Sequence, residues 1–260
     1  MIGFIGGGNM AEALIKGIVA KHGKDIIVSE PRDDRRDYLE KKYHVKTIPD
    51  NKEVAKHCTI IILAVKPQNM DEVTAEISDM TSDKIIVSIA AGIPLSYLSS
   101  RLKTSKIIRV MPNTPALIQE GMSVMSMCEC IHDKEISIIK DIFMSVGLLL
   151  MLPEKYMNAV TALSGSGPAF FAYFVEALIE GGVKMGLDKA DAQTLAIQTM
   201  LGTARLLDTG MAPAKLREMV TSPGGTTAAG LKVSQERGFK DVVIATLEAA
   251  TNRAKELGRE

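Results

Sequence analysis

Gly6, Gly8 and Ala11 stand at the spacing G-x-G-x-x-A, between an apolar run at residues 2–5 and a helical apolar pattern at Met10, Ala13, Leu14, Gly17 and Ile18. Strand, tight turn and helix in that order make a seat for a pyrophosphate. The first glycine makes the turn, the second lets the anion approach the backbone, and the small third residue lets helix and strand pack closely. Free N–H groups and the positive end of the helix dipole then face the phosphates. A glycine cluster can also be a plain turn; the flanking strand and helix favour the nucleotide.

A second dense stretch is Thr221-Ser222-Pro223-Gly224-Gly225-Thr226-Thr227. Glycines, hydroxyls and a helix start near Thr226 together suit an anion such as a carboxylate. Its plain reading is a helix–helix turn with a threonine N-cap. Glu30 falls roughly 20 residues beyond the glycine turn, where an acidic side chain can bind adenosine ribose hydroxyls. Arg32, Arg35 and Arg36 follow at once and would suit a 2′-phosphate or simply a solvated helix start. Ala64-Val65-Lys66-Pro67, Ala90-Ala91-Gly92 and Met111-Pro112-Asn113-Thr114-Pro115 each end an apolar run, and loops at the carboxyl ends of parallel strands line a ligand crevice. Two prolines fix the Asn113 loop, so its amide could pair with a carboxamide, although the prolines alone would explain a turn.

The elements that must position these residues alternate. Strands are predicted at 25–30, 45–48, 59–65, 85–89, 107–111, 123–127 and 148–152, with helices at 33–43, after Asp50, and at 133–145. Nearly unbroken apolar strands separated by helices predict a doubly wound parallel sheet of Rossmann type. No convincing strand follows Pro153, so the domains are expected at 1–152 and 153–260, the second all-α. Its long helices are expected to break at 164–168 and 186–188, with Asp188 as an N-cap. The helix at 189–208 is apolar on two sides, with Ile197, Met200, Leu201, Ala204 and Leu207 in one arc and Leu195 and Leu206 nearly opposite. Such a helix lies between layers, and the second layer is either internal or another subunit.

Lysine plus arginine number 31 and aspartate plus glutamate 31, well mixed, so no nucleic-acid or membrane surface is expected. No apolar run looks long enough to span a bilayer. Cys58, Cys128 and Cys130 are an odd set without a C-x-x-C pair. Neither a disulfide framework nor a zinc site is expected, Cys128 and Cys130 read as alternating strand residues, and a reducing cytoplasm is the simplest setting. The four histidines, at 22, 44, 57 and 132, lie in polar contexts away from the candidate loops. No catalytic triad, general base or metal site is apparent.

Five stretches taken together resemble the pyrroline-5-carboxylate reductase family: residues 3–11, 64–67, 111–115, 163–169 and 220–227. They occur in the family's order, and the last two are the specific ones. The resemblance implies a Rossmann domain followed by a helical domain that dimerises, with dimers commonly assembling further, often as a ring of five. It implies NAD(P)H-dependent reduction of L-1-pyrroline-5-carboxylate to L-proline, the last step of proline biosynthesis. By the same resemblance Gly6, Gly8, Asn9 and Met10 hold the pyrophosphate. Glu30 and Asn51 lie near the adenosine, Ala64, Val65, Lys66 and Pro67 line the cofactor, and Asn113 sits by the nicotinamide. The small-molecule substrate's carboxylate meets the loop of Ser222 at the N–H groups of Gly225 and Thr226, and the Thr227 hydroxyl donates to the ring nitrogen. Glu30 stands where many members have a neutral residue, which weighs against a 2′-phosphate; set against the family's habit, NADPH is still expected, with NADH also accepted. Two rivals share the layout. A β-hydroxyacid dehydrogenase needs a lysine that residues 163–171 lack, and a non-catalytic NAD(P)-binding regulator has no need of the 222–227 loop.

Overall fold

The computed structural model describes residues 1–23, 25–128 and 131–258. Its framework is an eight-stranded sheet. In chain order the strands and their helices are β1 (Ile2–Ile5), α1 (Asn9–His22), β2 (Ile26–Ser29), α2 (Asp33–Tyr43), β3 (Lys46–Ile48), α3 (Asn51–His57), β4 (Ile60–Leu63), α4 (Met70–Ile77), β5 (Ile85–Ser88), α5 (Leu95–Arg101), β6 (Ile107–Met111), β7 (Gly121–Met127), α6 (Asp133–Met144) and β8 (Gly147–Met151). The spatial order is β3-β2-β1-β4-β5-β6-β7-β8, so the direction of winding reverses between β1 and β4. All neighbours run parallel except β6 and β7, where Arg109 lies opposite Ser126.

The apolar strands follow from burial on both faces. Phe4, Ile62, Val87 and Ile108 pack with Leu14, Ile18 and Phe143 on one side. Ile5, Ile61, Leu63 and Ile86 pack with Met70, Ile77 and Leu98 on the other. Every β-αβ step therefore seals one more strip of core, as a doubly wound sheet requires.

By packing, the chain divides into Met1–Ser166 with Ala249–Glu260, and Gly167–Glu248. Past β8 the described structure is helical: α7 (Met157–Val160), α8 (Gly167–Lys184), α9 (Lys189–Asp208), α10 (Pro213–Met219), α11 (Thr226–Glu236) and α12 (Phe239–Leu257). Asp188 caps α9 as expected, its carboxylate accepting the Ala190 N–H at 2.8 Å.

The expected break at 164–168 is present, with a bend at Ser166 before α8 starts at Gly167, and it takes the form of a tight helical turn. Thr161–Gly165 is a π-helical turn, closed by Ser166 N–H donating to Thr161 O five residues back at 2.8 Å. Pro168 is accommodated at the start of α8, where its missing N–H has no intrahelical partner to lose. Two other expectations need correction. The stretch Glu154–Lys184 is long and apolar enough, by length and composition alone, to cross a membrane, which the short apolar runs flanking that turn concealed. The strand ends at Met127, before Cys128, and Cys128 is disulfide-bonded rather than free. Cys130 lies outside the described residues. Cys58 is free, and burial pushes its thiol up to about 11, leaving it an inert core residue.

Candidate functional site

The glycine turn sits where the sheet's winding reverses, at the carboxyl ends of β1 and β4, the place where open α/β sheets bind ligands. Gly6 has a φ of +99°, and a Cβ there would fall 2.7 Å from Ala64 O, so only glycine fits. Gly8 differs. Its φ of −68° suits any residue, yet no atom lies within 4 Å of where a Cβ would be. The space above it is open, as a pyrophosphate cradle needs. Gly8 is also the N-cap of α1 and offers no side-chain acceptor, so the first-turn N–H groups of Asn9 and Met10 are left to a ligand.

Side chains from β2 and α2 grip this turn. Glu30 is buried and accepts the Gly7 N–H through Oε2 at 2.9 Å; Arg32 Nε donates to its Oε1 at 2.8 Å. Burial opposes ionisation of Glu30, but the bonds from Arg32 and Gly7 outweigh it and hold the carboxyl below its ordinary range. Arg35 donates to Gly7 O at 2.6 Å and to Gly8 O at 3.3 Å, and is itself held by Glu12 at 2.7 Å. Glu12 also accepts from Tyr38, Lys42 and Tyr43. Burial works against its charge, yet these donors, Tyr43 foremost, pull its pKa down to about 2. Glu12, Tyr38, Lys42 and Tyr43 were not singled out in the sequence; they are ordinary helix-surface types, and only the packing of α1 on α2 brings them together.

The remaining candidates of this unit ring the same edge. Asn51, first residue of α3, accepts from Ser29 Oγ at 2.6 Å and donates to Glu76 at 2.7 Å. Ala64, Val65 and Pro67 are half-buried and Lys66 is exposed. Beyond β5, a Cβ on Gly92 would lie 2.8 Å from Leu257 Cβ, so the last turn of α12 closes on this turn. Asn113 is committed to the protein. Its Oδ1 accepts the Met122 N–H at 2.8 Å, and its Nδ2 lies 3.3 Å from both Ser164 O and Ser164 Oγ. Its amide thus ties β6 to the π-helical turn. Arg109, on the same strand, is 4% exposed and ion-paired to Glu154 at 3.3 Å, and Glu154 also accepts the Leu95 N–H.

The hydroxyl-rich loop belongs to the second unit. Gly224 has a φ of +72°, which calls for glycine, and Gly225 is the N-cap of α11 without a side-chain cap bond. The Gly225 N–H is taken within the turn by Ser222 O at 3.0 Å. Thr226 opens α11 and is exposed, with Ser222 exposed before it. Thr227 is half-buried, and its hydroxyl makes no hydrogen bond among the described residues. It therefore does not cap the helix. Among those residues no group of three or more His, Cys, Asp or Glu side chains could hold a metal.

Comparison with known proteins agrees over the whole chain. Residues 154–257 match the family described as pyrroline-5-carboxylate reductase dimerisation, and residues 1–92 match NADP oxidoreductase coenzyme F420-dependent. A pyrroline-5-carboxylate reductase of Synechocystis is 43% identical, covering 100% of this chain and 98% of its own. The crystal structure of Plasmodium falciparum pyrroline carboxylate reductase with NADP bound superposes with a TM-score of 0.89 at 33% identity, covering 99% of this chain and 97% of that one. A pyrroline-5-carboxylate reductase from Coxiella burnetii gives 0.90 at 36% identity, over 98% and 97%.

Proposed function

Because the chain belongs to the pyrroline-5-carboxylate reductase family, we propose that it reduces L-1-pyrroline-5-carboxylate to L-proline with NAD(P)H, the last step of proline biosynthesis. The observation that carries this is the open space above Gly8 at the β1/β4 reversal, in a chain alike to such reductases from end to end. The residues present fit a dinucleotide: a glycine turn with room at Gly8, and the first-turn N–H groups of α1.

When bound, the nicotinamide supplies a hydride to the imine carbon. The chain's own task is to hold the partners in line, which is a large part of the rate for such a step. Gly6, Gly8, Asn9 and Met10 would seat the pyrophosphate, with Glu30 and Asn51 toward the adenosine and Ala64, Val65, Lys66 and Pro67 along the cofactor. Asn113 would shape the nicotinamide end by fixing the 111–122 turn rather than by offering a free amide, since its hydrogen bonds already go to Met122 and Ser164. The first turn of α11 would take the carboxylate. Thr226 is the better donor there, because the Gly225 N–H is engaged with Ser222. Thr227 has a free hydroxyl and would steady the ring nitrogen as it gains its proton. No strong acid is needed, because a C=N nitrogen protonates readily.

The proposal takes residues 1–152 as the dinucleotide-binding domain and 153–260 as the dimerisation and substrate domain. It includes a homodimer that assembles into a decamer in the cytoplasm. The deciding assay follows NAD(P)H oxidation by purified protein with pyrroline-5-carboxylate. Oxidation that depends on the imine is expected; cofactor binding without turnover would leave a non-catalytic regulator.

A further inference from the structure

Glu30 stands where an acidic side chain ordinarily accepts from ribose hydroxyls, but here its carboxylate is turned inward. Its side chain is 7% exposed; Oε2 takes the Gly7 N–H, and Oε1 takes both Nε (2.8 Å) and N–H (3.3 Å) of Arg32. The three neighbouring arginines are not equivalent either. Arg35, 15% exposed, is committed to Gly7 O, Gly8 O and Glu12. Arg36 donates to Glu30 O and Pro31 O and pairs with Asp33. Arg32 alone of the three is open, 60% exposed, with Nε pinned by Glu30 and its two terminal nitrogens without a partner among the described residues.

We propose that Arg32 reads the adenosine 2′-phosphate and that Glu30 is a positioning residue, which holds Gly7 and Arg32 and does not meet the ribose. A guanidinium fixed at Nε presents its remaining N–H groups as a planar fork, the shape that matches phosphate oxygens. Arg32 lies just past β2, beside the glycine turn that ends β1, on the side of the reversal where the adenosine end of a dinucleotide lies. The unusual acid at position 30 then favours NADPH through Arg32 instead of rejecting it. This rests on the dinucleotide reading of the site and not on the reaction.

Equilibrium binding of adenosine 2′,5′-bisphosphate and adenosine 5′-diphosphate isolates the adenosine end, without nicotinamide or substrate. Arg32→Gln changes an exposed side chain, so its melting temperature should match the parent's. It should weaken the bisphosphate about tenfold or more, the worth of charge-assisted hydrogen bonds, and leave the diphosphate unchanged. Glu30→Gln completes a double-mutant cycle. If Glu30 acts through Arg32, its selective effect on the bisphosphate disappears in the Arg32→Gln background; if that effect persists undiminished, Glu30 meets the nucleotide directly and the positioning role is lost. A parent protein that binds both nucleotides, with Arg32→Gln indifferent to the 2′-phosphate, overturns this inference alone. A parent that binds neither overturns the dinucleotide reading and this inference with it.

Discussion

A valine at position 8 would enter open space on an extended backbone that it readily adopts, so folding and binding can be separated there. Gly8→Val should melt like the parent and fail to bind NAD(P)H in a fluorescence titration; a folded mutant with undiminished binding would exclude this turn as the pyrophosphate seat. At Gly6 the same change would clash with Ala64 and strain a positive φ, and would test only stability. Thr227 makes the complementary case. Since its hydroxyl caps nothing in this structure, Thr227→Ala should keep its melting temperature while kcat/KM falls roughly 10-fold or more, the loss of one hydrogen bond to a charged group being about 1.5–3 kcal/mol. Thr227→Ser should retain much of the activity. An Ala variant as fast as the parent would leave protonation of the nitrogen to water. Glu30 shows how far residue types go in locating chemistry. Its place after β2 was readable from spacing, but its partners were not, because Gly7 comes 23 residues earlier and competes for the same carboxylate only after β1 and β2 have paired.

Among the elements, α1 and α2 are joined through one carboxylate. Glu12 gathers Arg35, Tyr38, Lys42 and Tyr43, and Arg35 passes that grip on to Gly7 and Gly8. Its pKa falls from 4.5 to about 2 on folding, so the stabilisation is complete above pH about 4.5 and is lost as pH falls through about 2. Glu12→Gln should therefore cost about 1–3 kcal/mol at neutral pH, and the gap in melting temperature between mutant and parent should narrow on acidification toward pH 2. A gap independent of pH would mean that charge is not what joins the helices. The alternation of strands and helices was legible because burial on both faces makes β4, β5 and β6 nearly pure apolar runs. The π-helical turn was not. Ser-Gly-Ser-Gly-Pro suits a loop as well as a helix, and what selects the helix is tertiary: β6 faces it, with Met111 so near Gly165 that a Cβ there would lie 2.5 Å from Met111 Cε.

For the molecule as a whole, the helices beyond β8 present apolar surface that one chain does not cover. Phe171, Tyr173, Phe174 and Leu178 of α8 are exposed, as are Leu195, Ile197, Leu201 and Leu206 on both sides of α9, where only Ala192 and Ala196 are buried. The two-sided pattern of α9 was visible in the sequence, but a pattern cannot say whose surface meets it. Residues 154–257 match a family described by its dimerisation, which points to a second subunit. Light scattering should find no monomer at micromolar concentration, and a fully active monomer would show that pairing does not build the site. The uncovered faces of α8 and α9 also turn the heat resistance of this protein into a question of how much of it is present. If folding and pairing are one equilibrium, mass action raises the unfolding midpoint with every increase in protein and lowers it on dilution. A thermal scan repeated across a hundredfold range of concentration should give a rising series of midpoints, so that a chain diluted far enough would meet heat without the partner that completes its core.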